Sequence, residues 1–367
     1  MNYKLYWIWL TKIKGIGPIK VQNLLEEFAT ARGIWQASRE ELNNVAGIAS
    51  ALSSQIIKSK DHFSPSLERN KLKKQGANLV TLQDKCYPKL LKEIYDPPPI
   101  LYYQGSLDYL QAPCIAMVGT RSCSRYGKKI AHKLSERLAG EGFTVISGLA
   151  RGIDTKAHQG ALRAGPTYAV LGSGLDNIYP PENAKLATKI AQQGAVLTAY
   201  PVGQKPARKN FPARNRIISG LSLGTIVVEA PNKSGALITA DFAVKQGREV
   251  FAIPGDVTKE QSVGPHKLIQ TGAKLVQSLD DITAELLVEK TMSAPEKNEF
   301  KASNNKENDL EDEEKIVYQS LNIRAQQFEK ILADVKIKAD QLNSILLQLE
   351  IAGLIEQLPG NRFRQIN

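Results

Sequence analysis

Six short apolar runs recur between residues 114 and 255: CIAMVG, FTVISG, TYAVLG, AVLTAY, GTIVVEA and EVFAIPG. Between them lie stretches with helical periodicity, such as SRYGKKIAHKLSERLAGEG and GALITADFAVKQG. Strands that are continuously apolar must be covered on both faces, and the intervening helices are the covers. The alternation therefore predicts an α/β fold, an extended Rossmann-like, doubly wound and mainly parallel sheet spanning residues 76–289. Residues 77–110, with ANLVTL and PILYYQG, are expected to add a strand or two at its edge.

The flanks read differently. Residues 1–75 are helical in pattern, and KGIGPIKVQNLLEEF and NVAGIASALSSQI each place glycines before a helix. The first has the form of a helix-hairpin-helix, whose Gly-x-Gly turn can offer backbone amides to a phosphate; a small helical bundle with tight turns fits as well. The expected unit is a SAM/helix-hairpin-helix-like domain. Residues 290–311 are polar without periodicity and read as a flexible linker. Residues 312–367 carry three amphipathic helices and two short strands around a Pro-Gly-Asn turn, the pattern of a winged-helix domain.

No window approaches the length of unbroken apolar sequence that a membrane-spanning helix needs, so no membrane role is expected. The apolar start, MNYKLYWIWLTKIKG, lacks a small-residue cleavage site and reads as a first helix. Three cysteines, at 86, 114 and 123, form neither a disulfide framework nor a zinc spacing, which favours the cytoplasm. The net charge of +11 is uneven, being +5 over residues 1–110, +8 over 111–289 and −2 over 290–367. The middle segment thus invites a polyanionic partner.

Ligands of an open α/β sheet bind at the carboxyl ends of the strands. The loops expected there contain Gly119 in VGTRS, Gly148 and Gly152 in SGLARGID, and Gly172 and Gly174 in GSGLD. Glycines allow close backbone approach, and the helix start behind each favours an anion. The final glycine of the dinucleotide fingerprint is missing, and Gly119 to Gly127 is too long for a Walker A loop. Lys128 is followed by Lys129 rather than Ser or Thr, so ATP hydrolysis is not indicated.

No acid occurs between Glu182 and Glu229, and FPARNRIISG lies in the middle of that gap. With a helix starting near Pro212, Arg214 shares a stripe with Ile217, Ile218 and Leu221, while Arg216 points away. An arginine on the inner stripe is tolerable at the open end of the helix, above the sheet. Phe211 either packs back on Ile217 or Ile218, or offers a face on which bases stack for roughly 1–3 kcal/mol each. Lys205, Arg208 and Lys209 would follow the phosphates, joined by Arg121, Arg125, Lys128 and Lys129 from the first glycine loop.

MVGTRSCSRYG, SGLARGIDTKAHQGAL, GSGLDNIYPPEN, FPARNRIISGLSLGTIVVEA and KSGALITADFAVKQGREVFAIPGD together resemble the DNA-processing protein A family (DprA, also called Smf). The resemblance implies a non-catalytic protein that binds and protects single-stranded DNA and loads RecA onto it during natural transformation and homologous recombination. It also implies a homodimer formed through the Rossmann domain, with no cofactor and no metal. The candidate single-strand contacts are Gly119, Arg121, Ser122, Gly148, Arg151, Gly172, Lys205, Arg208, Lys209, Phe211, Arg214, Asn215 and Arg216. Two departures from the family pattern stand out: Ala199 where a glutamate is usual, and His266 where an asparagine is usual.

The rival reading is a nucleotide-hydrolysing Rossmann enzyme of the lysine-decarboxylase-like type, with Glu229 or Asp154 as its acid. Asp154 reads more simply as a helix N-cap, and Glu229 as a strand-end residue bonded to a backbone amide. His158 shares a helix face with Asp154, as i, i+4 pairs commonly do, and His62, His132 and His266 lack metal-ligand spacing. A third reading, duplex recognition by the winged helix, sits poorly with its net charge of about −1, since phosphate contacts dominate such affinity.

Overall fold

The computed structural model describes residues 3–286 and, further on, residues 312–321, 326–335, 337, 339–351, 355–358 and 362–365. The linker expected at 290–311 and the turn at 359–361 lie outside the described residues. The chain divides into two compact units, Met1–Met292 and Ser293–Asn367.

The first unit is built on a nine-stranded sheet. Its strands are β1 (Asn78–Thr81), β2 (Ile100–Gly105), β3 (Cys114–Val118), β4 (Thr144–Ser147), β5 (Thr167–Val170), β6 (Ala195–Thr198), β7 (Gly224–Val227), β8 (Glu249–Ala252) and β9 (Lys274–Leu275). They lie in the order β1-β2-β6-β5-β4-β3-β7-β8-β9. Pairing is parallel from β6 through β9, whereas β1 and β2 add antiparallel at one edge. Each of the six apolar runs contains one strand, and β3 to β7 are buried along their whole length. The exposed two-residue β9 was not expected, because two residues are too few to show a period.

The winding positions the site. From β3 the chain runs outward through β4 and β5 to β6, and the helix Asn210–Gly220 then carries it back to β7 on the other flank of β3. This reversal opens a crevice above the carboxyl ends of the strands, where such sheets take ligands. The returning helix begins at Asn210 rather than near Pro212, so Phe211 lies in its first turn instead of ahead of it.

Six helices precede the sheet, from Tyr3–Lys12 to Pro65–Gln75. Leu5 through Leu10 are all buried, which explains why the first helix shows an apolar run rather than a stripe. Trp9 donates its indole N–H to Ser59 Oγ at 2.8 Å, and Trp35 meets Tyr6, Trp9 and Phe63 edge-on. These residues share one apolar core with Leu79, Leu101 and Tyr102 of the edge strands, so residues 1–75 are continuous with the sheet as a single packed unit. The two glycine turns adjoin each other: Gly15 and Gly47 have φ of +89° and +81°, and Asn23 Nδ2 donates to the Ala46 carbonyl at 2.9 Å.

The second unit contains the three expected helices, Asp312–Ser320, Phe328–Val335 and Ala339–Ile351. Its antiparallel sheet comprises β10 (Gln326–Gln327), β11 (Ile355–Leu358) and β12 (Arg362–Gln365), with β12 central. The short β10 is an addition to the expected pair. Val317, Ile331, Leu342, Leu346, Leu349 and Phe363 form its core.

His158 is fully buried and contacts Thr167 Oγ1 through Nδ1 at 2.8 Å, not Asp154. Burial, with a smaller contribution from Arg214, lowers its pKa to about 3. The unfolded chain therefore binds a proton that the folded chain refuses between pH 6.5 and about 3, and stability falls with pH across that window. The slope from this group is about 1.4 kcal/mol per pH unit, or roughly 2 kcal/mol between pH 6.5 and 5. Urea midpoints measured at both pH values should reveal the loss, and His158→Asn should remove most of it.

Candidate nucleic-acid interface

Loops from four strands meet above the crevice. The loop after β3 brings Arg121, the loop after β4 brings Gly148, Ala150 and Arg151, the segment after β5 brings Tyr179, and the loop after β7 brings Ser234. The helix Asn210–Gly220 adds Phe211, Arg214 and Asn215 from above. Together they enclose an open cavity of about 620 Å³ and a narrow pocket beside it lined by Arg121, Gly148, Arg151, Tyr179, Phe211 and Arg214.

Arg214 forms the floor. It is 5% exposed, and its Nη1 donates to the carbonyls of Gly148, at 2.8 Å, and Val170, while Nε donates to Asn215 Oδ1 at 3.2 Å. One guanidinium thereby ties the ends of β4 and β5 to the crossing helix. A Cβ on Gly148 would lie 2.7 Å from that guanidinium, so the glycine gives the arginine its space. Burial lowers the Arg214 pKa to about 10, opposed by Asp154, and the group remains a cation at neutral pH.

The surrounding loop is held under constraint. Leu149 takes a left-handed φ of +58°, uncommon for a bulky residue, and its carbonyl accepts from Asn183 Nδ2 at 2.8 Å. Asp154 accepts from the Gly148 and Ala150 amides at 3.1 and 3.3 Å. It is thus not the N-cap, a position held by Gly152; its carboxylate closes the preceding loop instead. Burial raises its pKa, while Arg214 and the two amides pull it down.

Phe211 packs forward into the cleft rather than back on Ile217 or Ile218. Its ring lies 5.6 Å from that of Tyr179, and the Arg121 guanidinium stands 5.6 Å from its centroid. Gly172 lies beneath, where a Cβ would come within 2.9 Å of Cδ1. Asn210 secures the contact by donating to the Gly172 carbonyl at 3.1 Å. The result is a layered stack of guanidinium and aromatic groups, half open to solvent, over a buried cation.

The other predicted residues divide. Gly119, Arg208 and Asn215 line the larger cavity, and Arg151 lines the narrow pocket, paired with Glu182. Ser122, Lys205 and Lys209 are exposed but do not line either cavity. Arg216 is turned away and held by Asp96, 120 residues earlier, so it is not brought to the cleft. Tyr179, Ser234, Gly235 and Thr239 line the cavity without having been singled out. An aromatic directly before two prolines, and the SGALIT helix start, were the available signals.

Glu229 accepts from Ser124 N at 2.8 Å and from Ser124 Oγ, and Ser124 caps the helix Arg125–Gly140. A Cβ on Gly127 would collide with this carboxylate. Both faces of Glu229 are engaged in holding that helix start. The two departures lie elsewhere: Ala199 packs on the main core, and His266 Nε2 sits 3.2 Å from the Gly255 carbonyl.

Comparison with known proteins gives a consistent result. Residues 78–287 match the family described as DNA recombination-mediator protein A, and residues 301–361 match the DprA winged helix domain. The chain is 37% identical to Protein Smf of Synechocystis sp., over 98% of both chains. It is 50% identical to DNA processing protein DprA of Streptococcus pneumoniae, over 56% of this chain and 73% of that one. The X-ray structure of the S. pneumoniae protein superposes with a TM-score of 0.69 at 38% identity, covering 78% of this chain and 99% of the other. A DNA processing protein A from Helicobacter pylori, described for its single-stranded DNA binding mode, gives 0.52 at 32% identity, covering 57% and 96%.

Proposed function

The chain belongs to the DNA recombination-mediator protein A family, and on that premise we propose that it binds single-stranded DNA in the cleft above β3 to β5. There it protects the strand and supports loading of RecA in natural transformation and homologous recombination, as a non-catalytic homodimer in the cytoplasm. The observation that carries the reading is the stack of Arg121, Phe211 and Tyr179 over the buried Arg214. An unpaired base presents a free face to such a stack, whereas a base inside a duplex has both faces covered by its neighbours. Arg121 and Arg208 add positive charge, the second on a segment without carboxylates between Glu182 and Glu229. The single-stranded DNA binding mode described for the H. pylori relative supports the same choice of ligand.

Titration with a single strand and with a duplex of equal length over a range of salt tests this. Single-strand affinity should exceed duplex affinity and fall with salt at about −0.7 per phosphate neutralised on a log-log plot. Equal affinities at every salt concentration would remove the reading. RecA loading is tested separately, by following RecA assembly on a strand already coated with single-strand-binding protein.

Glu182 would compete with phosphate for Arg151, since the pair is exposed and Arg151 lines the narrow pocket. Glu182→Gln should free that arginine and steepen the salt slope by about 0.7, the contribution of one further neutralised phosphate. An unchanged slope would place Arg151 outside the strand's path.

A further inference from the structure

A second basic surface lies on the flank of the sheet, outside the cleft. The helices Ile153–Ala161 and Ala184–Gln193 follow β4 and β5, cover the same face of the sheet and border an open groove of about 610 Å³. The second helix carries no acid, and Lys185 and Lys189, both exposed and one turn apart, line the groove. Neither is ion-paired: the lysines that are, among the described residues, are Lys4, Lys12, Lys71, Lys245 and Lys274. Arg163 lines the groove too, although its Nε already donates to Glu136 at 2.7 Å. The half-buried Leu162 and Leu186 give the lining an apolar part.

The groove is continuous with the cleft. Glu182 is the one acid among its lining residues, and it is paired with Arg151 of the narrow pocket, so a single ion pair borders both. The helix after β5 starts at the carboxyl ends of the strands, where the cleft lies, and its ten residues carry the groove about 15 Å toward their amino ends. A strand longer than the cleft must leave it somewhere, and unpaired lysines beside the rim favour a path on which phosphates can displace their counterions.

We propose that this groove is a second path for the same single strand: nucleotides leaving the cleft past Arg151 and Glu182 lay their phosphates along Lys185 and Lys189. The inference rests on the single-strand reading and extends it to a surface lined by neither the aromatic stack nor Arg214. The two lysines, four residues apart on one helix, are about 5–6 Å apart at Cβ, a spacing that suits successive phosphates of an unstacked strand.

Strand length separates the groove from the cleft. Full-length protein and its Lys185→Gln/Lys189→Gln double variant are titrated over a range of salt with an oligothymidylate of about eight nucleotides, which the cleft alone can hold, and one of about sixteen. A second double variant, Lys133→Gln/Arg137→Gln, removes the same charge from exposed positions of the helix Arg125–Gly140 that line neither cleft nor groove. The unaltered protein should show a steeper salt slope with the longer strand. Loss of Lys185 and Lys189 should weaken the longer strand about tenfold and reduce its slope by about 1.4, leaving the shorter strand and the second variant unchanged. Equal loss at both lengths, no loss at either, a slope independent of length, or the same loss in the second variant would overturn the path. Binding of a polyglutamate peptide that depends on the two lysines, with both oligonucleotides unaffected, would overturn it in favour of an acidic polypeptide. Failure of the unaltered protein to bind either oligonucleotide would instead overturn the single-strand reading.

Discussion

Arg214→Ala is expected to lower folding stability by about 3 kcal/mol and to weaken single-strand binding for every base sequence alike. The guanidinium is buried, and its loss leaves the Gly148 and Val170 carbonyls without their donor. It also leaves Asp154, itself buried, without the cation that favours its charged form. Two strand ends and the crossing helix would then lose their common tie. Urea denaturation measures the first effect, and a change under about 0.5 kcal/mol, typical of surface substitutions, would mean that this network does not hold the floor. Arg121→Ala makes the contrast: Arg121 is exposed, so its removal should reduce affinity with little change in the urea midpoint.

Phe211→Ala is expected to weaken single-strand binding by roughly 5- to 150-fold, the range given by 1–3 kcal/mol per stacked base. The salt slope should stay constant, because no phosphate contact is removed. The ring is half-buried and packs against Tyr179 and Arg121 rather than inside the main core, so the thermal midpoint should move little. A variant that unfolds earlier yet binds with full affinity would make Phe211 a packing residue only.

Much of the sheet was legible because parallel strands covered on both faces appear as unbroken apolar runs, as CIAMVG and TYAVLG do. The inner position of Arg214 was legible too, since its spacing from Ile217, Ile218 and Leu221 is that of one helix face. Its partners were not: the Gly148 and Val170 carbonyls are backbone groups of other elements, and no side-chain pattern announces them. The same holds for Arg216, whose partner Asp96 lies 120 residues away, so its isolation from the cleft depends on tertiary structure. Helix starts were blurred by local chemistry. Asn210 begins its helix ahead of Pro212 because its side chain is anchored to Gly172, and Asp154 looks like a cap in sequence while its carboxylate reaches back to the loop amides. Thr239 went unnoticed because a threonine inside SGALITA is indistinguishable from an ordinary core position until the cavity beside it is seen.

The contact between base and cleft is tested most directly by photocrosslinking. An oligothymidylate carrying 5-iodouracil is irradiated with the full-length protein, and the linked peptide is identified by mass spectrometry. The cleft predicts attachment at Phe211 or Tyr179, the two rings that face each other there. Attachment confined to the glycine turns near residues 15 and 47, or to residues 312–367, with neither ring modified, would contradict it.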